Sequence, residues 1–251
     1  MTRLLKKILY GVFYLFVLGL IVWGGYEKSF GPTPSCFDNI QNQNESGVDC
    51  DGLCISCEIK KLDFPRVVGD AKMLSSSAGT VLLGQIQNPN SNYGVSKINY
   101  RFNVYDKSNN LVRSIQAQTV LYPGERKTIV GKIDGVKEIY PKISLELSDP
   151  VWVKSSAMIK PDISVGKIKT DIIENKIIVS GILSNKSPFS VPSIEVVVVL
   201  FDRLGLDLFS SFTNLTIGGF EDRAFSIPFP TDSNLAKGID YKATQVYANP
   251  Q

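Results

Sequence analysis

The sequence predicts an all-β protein: two tandem Ig-like antiparallel β-sandwich domains that follow an N-terminal transmembrane helix and a small disulfide-rich segment. Three observations predict it. Residues 8–26 contain no charged side chain and are mostly Leu, Val, Ile, Phe, Tyr and Trp. All four cysteines fall within residues 36–57. Beyond Pro65, apolar and polar residues alternate between clusters of Asn, Gly, Ser and Pro, which is the period of a half-buried strand. The expected boundaries are 1–28 for the cytoplasmic tip and anchor, 29–60 for the cysteine-rich stalk, 61–154 for the first sandwich and 155–251 for the second.

The apolar run spans 19 residues. At about 1.5 Å each it reaches about 28 Å, close to the hydrocarbon thickness of a bilayer. Arg3, Lys6 and Lys7 precede it, and the positive-inside bias then keeps the N-terminus cytoplasmic and the rest of the chain outside. Tyr10, Tyr14, Trp23 and Tyr26 place amphipathic rings near the two ends. The expectation is a single-pass protein of the plasma membrane held through residues 8–26. A cleaved signal peptide is the alternative, although the run exceeds the usual h-region and no A-x-A pattern follows it.

The remainder of the chain is electrically balanced. Residues 1–28 hold Arg3, Lys6, Lys7 and Lys28 against Glu27, and 23 basic and 23 acidic side chains lie beyond them. The formal charge of +3 therefore belongs to the anchor. A neutral exterior predicts no nucleic-acid partner, since phosphate capture needs clustered Lys and Arg.

Cys36, Cys50, Cys54 and Cys57 sit in a Gly- and Asn-rich stretch whose apolar residues are Phe37, Ile40, Val48, Leu53 and Ile55. So few cannot form a core unaided, and in an oxidising compartment the four thiols read as two disulfides. Spacing leaves all three connectivities open. Each bridge closing a loop of about 15 residues adds about 3 kcal/mol. Cys36 and Cys50 are too far apart to supply the second x-x pair of a four-thiolate zinc site. Asp38, Glu45, Asp49 and Asp51 are hard oxygen donors and make calcium the metal alternative, without the EF-hand spacing. The string "PSCFDNIQNQNESGVDCDGLCISC" resembles a short motif of surface proteins, C-x-D-x-x-x-N-x-x-E-x-G-V-D-C-x-G-x-C-x-x-C, to which no activity is attached.

The later chain repeats itself. Gly84 and Asn88 in "GQIQN" are echoed by Gly181 and Asn185 in "GILSN", and Tyr105-Asp106 by Phe201-Asp202. Pro123-Gly124 falls opposite Gly218-Gly219, and Asp149-Pro150 opposite Asn249-Pro250. Four anchors in one order predict a tandem duplication. Strands are expected at Thr80–Gln87, Lys97–Asp106 and Val112–Val120, and again at Lys176–Ser184, Ser193–Asp202 and Leu208–Leu215. Val196–Phe201 is apolar on both faces, so its strand should be central or covered. The strings "FNVYD" (Phe102–Asp106) and "VVLFD" (Val198–Asp202), with the G-x-x-x-N starts and Pro123–Glu125, resemble the FxLYD family of extracytoplasmic sandwiches. That resemblance implies a fold and an envelope location but no common reaction.

The chain has no histidine, which removes Ser-His-Asp and Cys-His catalysis and histidine metal sites. No G-x-S-x-G elbow or phosphate-binding glycine loop occurs. Carboxylates at Glu125, Asp134, Glu221 and Asp222 fall in expected turns, where solvated charge is the ordinary reading. Tyr93 and Phe189 are expected in equivalent loops, as a binding edge or as packing. Asn44, Asn185 and Asn214 head N-x-S/T triplets. The functional expectation is a non-catalytic binding or scaffolding protein of the cell envelope with a protein or glycan partner. A passive spacer is the second reading and a carboxylate hydrolase the third. No cofactor is expected apart from the calcium alternative.

Overall fold

The computed structural model describes residues 3–30, 35–42, 44–76, 79–133, 140, 142–173, 176–230 and 238–251. They form two compact units, Met1–Leu62 and Asp63–Gln251.

In the first unit, α1 (Arg3–Phe30) contains a 22-residue window, Leu5–Tyr26, long and apolar enough to cross a membrane. Its apolar side chains are exposed on every side, as suits a helix solvated by lipid. The cysteine segment ends in a single helical turn, α2 (Cys57–Lys60), capped by the Ser56 hydroxyl, which accepts from the Glu58 amide.

In the second unit, residues 66–154 form β1 (Arg66–Val67), β2 (Lys72–Ser76), β3 (Gly79–Gln87), β4 (Tyr93–Tyr105), β5 (Leu111–Leu121), β6 (Arg126–Ile133) and β7 (Lys142–Lys154). Strands β1 and β2 line the same edge of β3, with β6 on its other side, and the facing sheet runs β5-β4-β7. The second half supplies β8 (Ile163–Ile173), β9 (Lys176–Asn185), β10 (Val191–Asp202), β11 (Asp207–Ile217), β12 (Asp222–Pro230) and β13 (Ile239–Pro250). Its sheets run β8-β9-β12 and β11-β10-β13. With β1 and β2 taken as one interrupted strand, strand order is the same in both halves, and all pairings are antiparallel.

Each half encloses its own core. The first is built on Leu82, Ile86, Tyr100, Phe102, Val104 and Ile129. The second is built on Val179, Leu183, Val196, Val198, Leu200 and Phe225. A third apolar layer joins them. Leu83 and Val130, on the outer face of β3 and β6, pack with Val197 and Val199 on the outer face of β10, flanked by Val81, Phe201 and Tyr247. Four sheets are therefore stacked face to face, and the two sandwiches form one block. The doubly apolar Val196–Phe201 segment is both central in its sheet and covered, because one face lies in the second core and the other in the joint.

Strand β4 starts at Tyr93, four residues before the expected Lys97, so Tyr93 is a buried strand residue and not a loop residue. Pairing with Lys154 at the far end of β7 extends the ladder that far. Phe189 does precede its strand and is partly exposed. Asp222 opens β12 and does not lie in a turn. Asp134 lies outside the described residues.

Candidate functional site

The four cysteines form two crossed bridges, Cys36–Cys54 and Cys50–Cys57. The acidic residues around them act as caps for an irregular backbone. Asp49 is buried and accepts from the amides of Asp38 and Asn39. Glu45, also buried, accepts from the amides of Asn42 and Asp49. Asp38 accepts from the amides of Ser35 and Ile40 and from the Asn42 side chain. These bonds, the Ser35 amide foremost, hold its carboxyl below the usual range. Asp51 takes the Ser46 hydroxyl and the Cys57 amide, with the same effect on its carboxyl. Asn39, Asn44, Asp49 and Asp51 adopt positive φ, which short polar side chains tolerate. Gly47 is required for space: a Cβ there would lie 3.0 Å from Cys50 Sγ and 3.1 Å from Cys57 Sγ.

This arrangement bears on calcium. A calcium cage turns several oxygens toward one point. Here the four carboxylates point at different amides. Among the described residues, the cluster of ligand-type atoms lying within 4.8 Å of one another is Cys36, Glu45 and Cys54. Two of its three members are bonded to each other as a disulfide and offer no thiolate. The donor set fits a self-capped knot.

The repeated motif residues likewise build the fold. Asn88 donates to the carbonyls of Tyr93 and Tyr122 and accepts from the Asn90 amide. Asn185 donates to the carbonyls of Phe189 and Gly218 and accepts from the Ser187 amide. Each ties two loops to a strand end, and the buried Asn185 amide is already committed, so its N-x-S triplet is not an open acceptor in the folded chain. Asp106 caps the amides of Ser108 and Asn110, and Asp202 those of Leu204 and Leu206. Glu125 accepts from the Tyr122 amide and Glu221 from the Gly218 amide. A Cβ on Gly84 would sit 2.6 Å from Leu145, and one on Gly181 2.6 Å from the Phe225 ring. Gly84 lets the opposing sheet close, and Gly181 makes room for the ring of its cross-strand neighbour Phe225 in the same sheet.

Two features lie at the joint itself. The first is a groove of about 280 Å³ beside it. Between β1 and β2, residues 68–71 bulge away opposite Gly84 and Gln85, with Gly69 at φ 69°. The opening is floored by Leu83, Val199 and Phe201 and rimmed by Asp70, Gln85, Thr128, Gln245 and Tyr247. Lys72 and Asp207 pair across it, one from each sandwich. Burial, then the Asp207 charge, pushes the Tyr247 phenol up. An apolar floor with amide, hydroxyl and carboxylate groups at the rim suits a small polar ligand or a peptide side chain.

The second feature is Lys127, 2% exposed, whose ammonium donates to Thr119 Oγ1 at 2.9 Å, Val120 O at 2.9 Å and Pro250 O at 2.6 Å. Burial pushes its pKa down to about 8, against the opposing pull of Glu125 and Glu195. Glu195, on the joint face of β10, is pushed up by burial. Around this cation Asn249 donates to Thr128 O, and Thr119 donates to the Gln251 side chain. The sequence-expected turn carboxylate Glu125 pairs with Lys160 at 2.9 Å.

No protein-family model matches the sequence, and no curated protein matches it. Among solved structures, a red sea bream transglutaminase aligns at 8% identity with a TM-score of 0.21, over 65% of this chain and 27% of that one. The tandem CBM22-1–CBM22-2 domain of Paenibacillus barcinonensis Xyn10C aligns at 8% identity with a TM-score of 0.18, over 77% of this chain and 88% of that one. The chain thus spans about a quarter of the transglutaminase's length.

Proposed function

We propose that this chain is a single-pass, extracytoplasmic display protein of the cell envelope whose two sandwiches, of FxLYD type, form a non-catalytic binding or scaffolding unit. The observation that carries this reading is the fused block. Two sandwiches joined by an apolar layer and a fully hydrogen-bonded lysine make a rigid platform, and the groove beside the joint offers a recessed contact for a protein or glycan partner. The positive-inside arrangement of Arg3, Lys6 and Lys7, together with the disulfide-bonded segment, supports an orientation with the sandwiches outside. Deleting residues 58–251 should abolish recovery of the partner by crosslinking in intact membranes. Equal recovery without them ends the idea.

A passive spacer is the second reading, favoured by the same rigidity, since a joint without a hinge transmits distance well. It predicts that replacing residues 63–251 by an unrelated block of similar size leaves the cellular phenotype intact.

A further inference from the structure

The cysteine knot is built inside out. Its carboxylates Glu45 and Asp49 and the Cys50 side chain are buried, whereas all five of its apolar residues face outward. Phe37 is 90% exposed and Leu53 84%, and Ile40, Val48 and Ile55 are each about half exposed. A module that satisfies its polar groups internally and leaves Phe and Leu in water presents a surface built for another apolar phase. The Cys36–Cys54 bridge holds its two Cα atoms 5.5 Å apart. Phe37 and Leu53 each adjoin one of these bridged cysteines, so the bridge keeps their backbones close.

What phase that is follows from the tether. Helix α1 ends at Phe30, and Cys36 is six residues further on. Six residues reach at most about 22 Å even fully extended. The headgroup region on each side of a bilayer is about 5–8 Å deep. A knot on so short a leash stays within about 22 Å of the helix end, so the outer bilayer surface is the apolar phase always within its reach. Half-exposed Asp38 and Asp51 give that surface no attraction for anionic headgroups. The contact is therefore apolar and independent of lipid charge.

We propose that the knot is a membrane-interface module: Phe37 and Leu53, with Ile40 and Ile55, dip into the outer-leaflet boundary. This rests on the reading of α1 as an uncleaved anchor.

The test uses the full chain reconstituted into phosphatidylcholine vesicles, with and without lipids brominated along the acyl chain. Two single-tryptophan proteins are compared. One keeps Trp23 and carries Trp152→Phe; the other carries Trp23→Phe, Trp152→Phe and Phe37→Trp. Phe37 is 90% exposed, so its replacement leaves the buried groups of the knot in place. The expected result is quenching of both by brominated lipid, deepest for Trp23. The probe at position 37 should be quenched at least twofold by shallow bromines, show blue-shifted emission, and respond equally when a third of the lipid is phosphatidylglycerol. Quenching of Trp23 with water-like, unquenched emission from position 37 overturns the proposal while leaving the anchor standing. It would then favour a protein partner for the knot. Loss of Trp23 quenching refutes the anchor itself, and the proposal with it. A second protein with Leu53→Trp in the same background must report the same shallow depth; a water-like signal there also counts against the proposal.

Discussion

Replacing Lys127 by Met tests the joint between the sandwiches, and the size of the expected effect depends on pH. Met keeps the unbranched stem and removes the ammonium. Three hydrogen bonds vanish, and two buried carbonyls, Val120 O and Pro250 O, lose a donor. At about 1–3 kcal/mol for each stranded acceptor, the loss is about 4 kcal/mol. Part of it is offset, because the variant no longer buries a charge. The net expectation near pH 7 is a destabilisation of about 1–3 kcal/mol. The pH dependence is sharper. In the fold Lys127 titrates at about 8, and unfolded at its ordinary 10.5. Between those values the unfolded chain binds more protons, so native stability rises with pH. The gap of about 2.5 units corresponds to about 3 kcal/mol, absent below pH 8 and complete above about 10.5. Urea unfolding of the detergent-solubilised protein, followed by Trp152 on β7 in a Trp23→Phe background, measures both chains from pH 7 to 10.5. Subtracting the Met variant cancels the tyrosines and the surface lysines. The wild-type-minus-variant difference should climb steadily through that window. A flat difference curve would show that Lys127 is not held in a desolvated site, and the account of the joint would fail.

Three further outcomes are expected. Val197→Asp places an unpaired charge in a fully buried layer and should cost about 3–5 kcal/mol in urea unfolding, whereas Val112→Asp on the exposed part of β5 should change stability by less than about 0.5 kcal/mol. Gly181→Ala forces a methyl against the Phe225 ring and should destabilise by about 1–3 kcal/mol, with a lower melting temperature by calorimetry. Asn88→Ala strands the carbonyls of Tyr93 and Tyr122 and should cost about 2 kcal/mol or more. The same change at Asn90, on the surface, should cost less.

What was legible in the sequence was whatever is written locally. The uncharged run of α1 and the period-2 strands depend on neighbours within a few residues. Val196–Phe201 could be read as covered because a strand apolar on both faces has no wet side. The disulfide pairing was not readable, since four cysteines allow three patterns and their spacing selects none of them. Lys127 was hidden for another reason. In the string Glu125-Arg126-Lys127 it looks solvated, and only Pro250, more than 120 residues later, buries it. The groove was missed too, although Gly69-Asp70 marks the bulge that opens it. Its far wall comes from the second sandwich, and pattern within one half carries no trace of that wall.

Comparison of the two halves explains why the joined faces join and the free faces do not. Superposing the strand orders sets Val197, Val199 and Phe201 of β10 against Arg101, Asn103 and Tyr105 of β4. It also sets Leu83 and Val130 of the first half against Ser180 and Ser226 of the second. These five apolar positions of the joint become polar or amphipathic on the equivalent outer face, whereas Val81 keeps an apolar equivalent, Ile178. The cation is retained in both halves but with opposite surroundings. Lys127 donates to Val120 O beneath the second sandwich, and Arg223 donates to the equivalent carbonyl, Thr216 O, in the open. A heterologous contact of this kind, front of one unit on back of the next, repeats without limit unless its free ends are altered. Arg101 and Asn103 at one end and Ser180 and Ser226 at the other are that alteration. They make a third layer costly, because exposed Arg101 and Ser226 and part-buried Ser180 would have to be desolvated, and Asn103 is already committed to Glu146 and Ser114. The same polar changes leave the two outer faces hydrogen-bond-rich, and the groove beside the joint remains a polar recess that a ligand can enter.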